Sequence, residues 1–266
     1  MTMMNTSRSL AAALLVCALL LSSTVGSATA KKVALVYDVE YVDISESEDR
    51  SEWGEASNLR AFLESLNYSP YLVTQSDNEG SWTTALAQAR TLIFAEGAST
   101  VPDDSVEPLR AWVRSGGVAV FCEDTNSVAQ QLTELELSNV AVAVPIERGG
   151  GGGSWSKSAA GAASSLFANG PAQVGELDST STWYLDNDLP AEQASLKCMY
   201  GETASCAVWV YTQGSGKFIG VGPDFYDFGY DGGQDGGWVS VMTTIVGHGS
   251  SASQLASWVS WVAALY

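Results

Sequence analysis

Short, continuously apolar runs alternate along this chain with longer stretches in which apolar residues recur every three or four positions. The first pattern is typical of strands buried on both faces of a parallel sheet, and the second of helices that cover such a sheet. Strands are predicted over residues 32–38, 71–74, 91–95 and 118–121. Helices are predicted over residues 53–66, 82–89, 104–115 and 128–135. This alternating order predicts an α/β fold with a doubly wound, mainly parallel sheet.

The third predicted helix has start and stop signals of its own. Asp104 is expected to cap its first turn, with Glu107 three positions later completing a capping box. Gly116 and Gly117 follow its last apolar positions and are expected to end it.

The second half of the chain is less regular. Residues 149–165 are rich in Gly, Ser and Ala and predict a flexible loop. Residues 207–212 and 217–221 flank a Gly-rich turn, which predicts a hairpin that returns to the sheet. Residues 238–246 predict a further helix, and residues 250–266 contain a C-terminal helix expected to dock on the core.

The first thirty residues have the features of a secretory signal peptide. A single charge, Arg8, precedes an apolar run, and small residues follow it up to Ala30. The run is too short for a spanning helix, so we expect a secreted protein with no membrane span. Residues 31–249 are then expected to form one α/β domain, followed by the C-terminal helix over 250–266.

The net charge limits the classes of partner. The chain has 12 basic and 30 acidic side chains, which gives a formal charge of −18 at pH 7. Such a charge repels nucleic acids and anionic membrane surfaces, so neither is expected as a partner.

Three cysteines follow the predicted signal peptide: Cys122, Cys198 and Cys206. In an oxidising compartment we expect Cys198 and Cys206 to form a disulfide, because they are close in sequence and Gly201 permits a turn between them. Asn67 begins an Asn-Tyr-Ser glycosylation sequon, and the proline directly after it is expected to lower its use.

Several motifs together resemble the class I glutamine amidotransferase-like superfamily. They are a strand and helix around GG-x4-Cys at Cys122, the stretch GKFIGVGPDFYD, and QDGGW before a helix. The segment LFANGPAQVGEL is similar to an Asn-Gly-Pro turn found in the secreted, non-catalytic branch of that superfamily. The resemblance covers about residues 33–247 and implies a flavodoxin-like, amidotransferase-like fold. Non-catalytic members of this fold serve as binding or scaffold modules in larger complexes.

The catalytic residues of the superfamily are only partly matched. Working members place the nucleophile in a Gly-x-Cys-x-Gly turn, and here Val120 and Asp124 flank Cys122. Their base lies in a Phe-His-Pro-Glu motif, whose matching stretch here begins at Val221 and contains no histidine. The chain's one histidine, His248, follows the predicted helix over 238–246 and is interpreted as a loop residue. We therefore expect a protein without a catalytic triad, and name Cys122 as the nucleophile only if it is an enzyme.

Acidic residues follow the predicted strands. In open α/β sheets ligands bind outside the carboxyl ends of the strands, so these side chains are expected to share one crevice. The candidate binding residues are Asp38, Glu96, Glu123, Asp124, Asp224 and Asp227, with Tyr226 and Trp238 as ring faces. Grouped carboxylates need compensation from a cation or from hydrogen-bond donors.

Three functions remain open. The first is a secreted, non-catalytic module that binds a protein or a glycan and needs no cofactor. The second is a secreted hydrolase or thiol enzyme that uses Cys122 or the carboxylates. The third is a structural protein that binds calcium, which prefers several oxygen ligands.

Overall fold

The structure of the protein is a computed structural model. It describes residues 31–37, 55–77, 79–95, 97–123, 125–135, 138–142, 153–175, 180–185, 195–223 and 236–249. The helices are α1 (Glu55–Ser65), α2 (Glu79–Gln88), α3 (Asp103–Arg114), α4 (Asn126–Thr133), α5 (Ala159–Ala163) and α6 (Trp238–Gly249). The strands are β1 (Lys31–Tyr37), β2 (Tyr68–Thr74), β3 (Thr91–Phe94), β4 (Val118–Cys122), β5 (Ser138–Val142), β6 (Ser154–Ser156), β7 (Gln173–Gly175), β8 (Thr180–Tyr184), β9 (Leu196–Glu202), β10 (Ser205–Gln213) and β11 (Gly216–Val221).

A nine-stranded sheet organises the described part of the chain, in the order β2-β1-β3-β4-β11-β10-β8-β5, with β9 also paired to β10. The strands from β2 to β11 in this order all run parallel. Strands β5, β8, β9 and β10 extend the sheet through antiparallel pairs. The predicted α/β fold is confirmed, and the sheet is mixed and mostly parallel through its centre. The predicted hairpin of β10 and β11 is also confirmed, and β11 joins the two halves of the sheet.

The parallel strands are buried on both faces because alternate side chains enter two different cores. On one face, Ile93, Val120 and Ile219 pack beneath α1 and α6. On the other face, Phe94 and Phe121 pack beneath α2, α3 and α4. The rings of these two phenylalanines stack with their centroids 5.3 Å apart. The continuous apolar runs of the sequence follow from this double burial.

The capping box predicted at Asp104 is wrong. Helix α3 begins one residue earlier, at Asp103, and its N-cap is Pro102, whose side chain accepts no hydrogen bond. The carbonyl of Pro102 instead accepts a bond from the amide of Ser105 at 2.8 Å. The carboxylate of Glu107 is turned toward Arg110, whose guanidinium donates to it at 2.8 Å.

The flexible loop predicted over residues 149–165 is wrong from residue 153 onward. Strand β6 and helix α5 lie in this segment. The Ser158 hydroxyl caps α5 by accepting from the amide of Gly161, and the indole of Trp155 is buried in the core. One aromatic anchor and one cap therefore order a segment whose Gly and Ser content suggested a loop. Residues 149–152 lie outside the described residues.

The predicted disulfide between Cys198 and Cys206 is confirmed. It links β9 to β10, and Gly201 between them has a φ of +98°, which favours glycine. Among the helices described, none combines the length and the apolar composition needed to cross a bilayer. The predicted signal peptide and the C-terminal helix over 250–266 lie outside the described residues.

Candidate functional site

The central parallel strands end at the same level, which we call the carboxyl edge. Val36 lies opposite Phe94, Phe94 opposite Phe121, and Cys122 opposite Val221. The predicted binding residues that follow these strands, Asp38, Glu96, Asp124, Asp224, Tyr226 and Asp227, lie outside the described residues. Their convergence therefore stays a prediction, whereas the shared edge from which their segments leave is part of the structure.

Cys122 is the last residue of β4 and is fully buried. Its side chain belongs to the apolar cluster beneath α1 and α6, together with Val120 and Val221. Its carbonyl accepts two bonds from Thr125, one from the amide at 3.1 Å and one from the hydroxyl at 2.7 Å. An apolar environment disfavours the charged thiolate, which is the nucleophilic form of cysteine. In this structure Cys122 is placed as a core residue.

The turn after β4 is made by Glu123, not by Cys122. Glu123 has a φ of +23°, a conformation that side-chain-bearing residues rarely adopt, and it is only 6% exposed. Its amide donates to the carbonyl of Val221 at 3.1 Å. The residue at the bend between strand and helix is therefore a carboxylate. The carboxylate can accept hydrogen bonds or bind a cation, whereas the amide of this turn is already bonded to Val221 and is not available to an oxyanion.

The stretch that begins at Val221 is held by backbone contacts. The Gly222 amide donates to the carbonyl of Ala207 at 3.0 Å, and its carbonyl accepts from the amide of Ser181 at 2.8 Å. A Cβ at Gly222 would collide with the Ser181 carbonyl. The backbone therefore has no room for an imidazole at this position.

His248 lies at the opposite end of the sheet. It is part of the last turn of α6, so its interpretation as a loop residue is wrong. Burial lowers the pKa of His248, and the nearby charge of Lys217 lowers this pKa further. Lys217 is paired with Val118, which is four residues before Cys122 on β4, a separation of roughly 13 Å along the strand. From this influence of Lys217 we infer that the imidazole lies toward the starts of β4 and β11.

Trp238 begins α6 and is fully buried. Its indole N–H donates to the carbonyl of Gly175 at 2.8 Å, which joins the helix to β7. The ring thus packs in the core beneath α6 and is not open to solvent in this structure. The sequence predicted Trp238 as a ring face for a ligand, and the structure instead buries the ring.

Two residues that shape the carboxyl edge were not predicted from the sequence. Thr125 is fully buried and uses its hydroxyl to hold the Cys122 carbonyl. Gly222 is required by the close approach of the Ser181 carbonyl. Within the described ranges, no group of three or more His, Cys, Asp or Glu side chains is arranged to hold a metal ion.

Comparisons with known proteins give a fold and no family. No protein-family model and no curated protein sequence matches the chain. Among solved structures, the mmIFT52 N-terminal domain is similar with a TM-score of 0.54 and 13% identity, over 84% of this chain and 98% of that one. Cytoplasmic protein STM1381 from Salmonella typhimurium LT2 is similar with a TM-score of 0.52 and 11% identity, over 81% of this chain and 100% of that one.

A third similar structure is the β-galactosidase from Bacillus circulans sp. alkalophilus, with a TM-score of 0.51 and 11% identity over 81% of this chain. This chain spans 30% of the length of that enzyme. Because all three identities are low, the similarities establish the fold alone. The class defined by fold and site is an α/β protein with a mixed, mostly parallel sheet.

Proposed function

We propose that the chain is a secreted, non-catalytic binding or interaction module on a flavodoxin-like, amidotransferase-like scaffold. The strand order β2-β1-β3-β4-β11 supports the scaffold, because it is the 2-1-3-4-5 order of doubly wound flavodoxin-like sheets. The similarity to the mmIFT52 N-terminal domain, which matches over nearly its full length, supports the same fold. The disulfide between Cys198 and Cys206 supports an oxidising compartment.

The absence of catalysis is supported by the burial of the thiol and by the inferred placement of the imidazole at the other end of the strands. Cys122 is buried in the apolar face of the sheet, and His248 lies near Lys217 at the other end of the strands. A cysteine nucleophile needs a base within hydrogen-bond reach to become a thiolate at neutral pH. This geometry supports a module that binds, and it disfavours the thiol-enzyme alternative through Cys122.

The proposed binding surface is the carboxyl edge, with an acidic crevice that accepts a protein or a glycan. Carboxylates there can accept hydrogen bonds from sugar hydroxyls or from basic side chains. Calcium is the alternative ligand, and paired carboxylates acting on a glycoside are the alternative chemistry.

Thiol labelling of the folded protein tests the non-catalytic assignment. In a Cys17→Ser background, Cys122 is the only cysteine outside the disulfide. We expect Cys122 to be labelled by a maleimide only after denaturant is added, because the side chain is fully buried. Ala61→Cys is the matched control, since Ala61 is exposed on α1 and a thiol there is accessible at once. Rapid labelling of Cys122 with a pH midpoint below about 8.5 would revive the thiol enzyme.

Thermal unfolding with and without millimolar calcium tests the cation alternative. A ligand present at a hundred times its dissociation constant stabilises the folded state by about 2.7 kcal/mol. An unchanged unfolding temperature in calcium removes the calcium-binding alternative. A glycan array then tests whether the carboxyl edge binds a glycan. If no glycan binds, a protein is the remaining candidate partner.

A further inference from the structure

Lys217 is the second residue of β11 and lies where the central parallel strands start. It pairs with Val118, whose side chain belongs to the apolar cluster beneath α1 and α6. Residues that lie side by side in parallel strands direct their side chains to the same face of the sheet. Ile219, two residues after Lys217, belongs to the same cluster. The alkyl chain of Lys217 therefore lies on the α6 face of the sheet, and the residue is half-buried.

The inward face of α6 ends at a second base. Trp238, Val241 and Ile245 are buried in the same cluster, and they recur at helical spacing. His248 follows Ile245 by three positions, so it continues this face toward the sheet. Burial and then the charge of Lys217 lower the pKa of His248. The imidazole is therefore neutral at pH 7 and provides no negative charge for the Lys217 ammonium group.

No described carboxylate compensates this ammonium group. Within the described ranges, none of the ion pairs includes Lys217. The other charged side chains described at this end of the sheet are either basic or already paired: Arg90, Arg114 with Glu107, and Glu64 with Arg60. Burial without a counter-charge disfavours the ammonium form, and it lowers the pKa of Lys217.

Two other lysines provide internal references. Lys157 is also half-buried, but its ammonium group donates to the carbonyls of Ala168 at 3.1 Å and Gly170 at 2.8 Å. Such acceptors stabilise the protonated form. Lys197 is exposed on β9, where water solvates the charge. Of these three lysines, only Lys217 combines burial with the lack of an acceptor, and its partial exposure still admits a small molecule to the amine.

An amine attacks a carbonyl group only in its neutral form, and desolvated lysines are the ones that form Schiff bases. We propose that Lys217 is a covalent binding site for small aldehydes, including the open-chain form of reducing sugars. Its Nζ forms a bond to the carbonyl carbon, and the two hydrogens of the neutral amine leave with the carbonyl oxygen as water. The product is an imine, and nothing is oxidised or reduced. The proposal does not depend on Cys122 or on binding at the carboxyl edge.

The pH dependence of amine labelling tests the proposal on the full chain. Trace acetylation with acetic anhydride, followed by peptide mass mapping, gives a rate for each lysine, and that rate follows the fraction of neutral amine. We expect the midpoint of the Lys217 profile to lie at lower pH than the midpoints of Lys157 and Lys197. Because a midpoint does not depend on how fast the reagent reaches each site, it separates pKa from exposure. A Lys217 midpoint at or above that of Lys197 would overturn the proposal.

Two replacements of His248 sharpen this test. His248→Glu brings a carboxylate toward the Lys217 ammonium group and should move the Lys217 midpoint to higher pH. His248→Gln is the matched neutral control and should leave that midpoint where it is in the wild type. Neither change should move the midpoint of Lys197. The same Lys217 midpoint in both variants would refute the uncompensated setting on which the proposal depends.

Trapping with an aldehyde tests the covalent step itself. Glycolaldehyde is the probe, and sodium cyanoborohydride converts any imine into a stable secondary amine that peptide mapping locates. At pH 7 and limiting glycolaldehyde, we expect several times more adduct on Lys217 than on Lys197, and a loss of this excess in Lys217→Arg. His248→Glu should lower the Lys217 adduct toward the level of Lys197. An even distribution over the lysines, or no adduct on Lys217, would contradict the assignment.

Discussion

The two ends of the central parallel strands differ in the chemistry they hold. At the carboxyl edge, Cys122 is sealed in an apolar cluster and Glu123 makes the turn. At the other end, which we call the amino end, Lys217 and His248 lie half-buried near the last turn of α6. A thiol and an imidazole are both present, yet the residue that acts on the imidazole, Lys217, pairs with the first residue of β4 and Cys122 is its last. The presence of a cysteine and a histidine therefore does not indicate a catalytic pair until the strand register shows at which end of the sheet each residue lies.

The two ends also differ in how closely the backbone packs. At the amino end, Gly216 approaches the carbonyls of Val113 and Gly117 so closely that a Cβ there would collide with both. At the carboxyl edge the tight contact is that of Gly222 with the Ser181 carbonyl. Four predictions test this comparison, and they are given in order of expected effect.

Cys122→Asp should have the largest effect. It places a carboxylate one residue before Glu123, but inside the apolar cluster where no charge is compensated. We expect the free energy of unfolding to fall by about 4 kcal/mol at pH 7, as for other unpaired buried charges. Urea unfolding measures the change, and Cys122→Ala is the control, with a loss of about 1 kcal/mol. A loss no greater than that of the alanine variant would mean that Cys122 lies in a polar site.

Gly216→Ala should be next, because the new methyl group meets backbone atoms that cannot move aside. The expected loss is about 3 kcal/mol, the upper part of the usual range for overpacking. Gly247→Ala is the matched control at the same end of the sheet, since a Cβ there meets nothing within 4 Å. Gly247 lies in α6, so its replacement should stabilise by up to about 1 kcal/mol. Equal effects of the two changes would contradict the close approach at Gly216.

The backbone strain at Glu123 can be isolated with a pair of variants. Both Glu123→Ala and Glu123→Gly remove the carboxylate. Only glycine, which has no Cβ, adopts a positive φ without steric cost. We expect the glycine variant to be more stable than the alanine variant by about 1 kcal/mol in urea unfolding. The reverse order would show that Glu123 does not hold this conformation in solution.

The smallest effect concerns pH at the amino end. Burial, and then the charge of Lys217, lower the pKa of His248 below its ordinary value. The unfolded chain therefore binds this proton more readily, so the stabilisation is complete above about pH 6.5 and is lost as pH falls through that value. We expect His248→Gln to remove this part of the pH dependence when stability is compared between pH 5 and 7.5. An unchanged profile would place His248 in solvent.

The sequence predicted the parallel half of the sheet better than the antiparallel half. Strands β1, β3 and β4 are continuous apolar runs. With predicted helices on either side, such runs indicate buried parallel strands. Strands β5, β8 and β9 were not predicted, because short polar strands such as TSTWY resemble loops until a partner strand is known. The disulfide was predictable since Cys198 and Cys206 are close in the chain.

The candidate site was predicted only in outline. The strand ends could be read from the apolar runs, and they do share an edge. The burial of Trp238 and the role of Gly222 depend on contacts with Gly175 and Ser181, which are distant in sequence. Such contacts cannot be read from one chain, because local patterns do not specify which distant backbone approaches a residue.

The disulfide has a consequence for how the chain oxidises as it folds. Cys198 and Cys206 are separated by 8 residues, whereas Cys122 and Cys198 are about 76 apart. Loop closure scales as (3/2)RT ln n, so the entropic cost of the incorrect pair is greater by about 2 kcal/mol. Even a structureless chain therefore favours the native crosslink over the Cys122–Cys198 pair by roughly thirtyfold, which leaves the Cys122 thiol for the core.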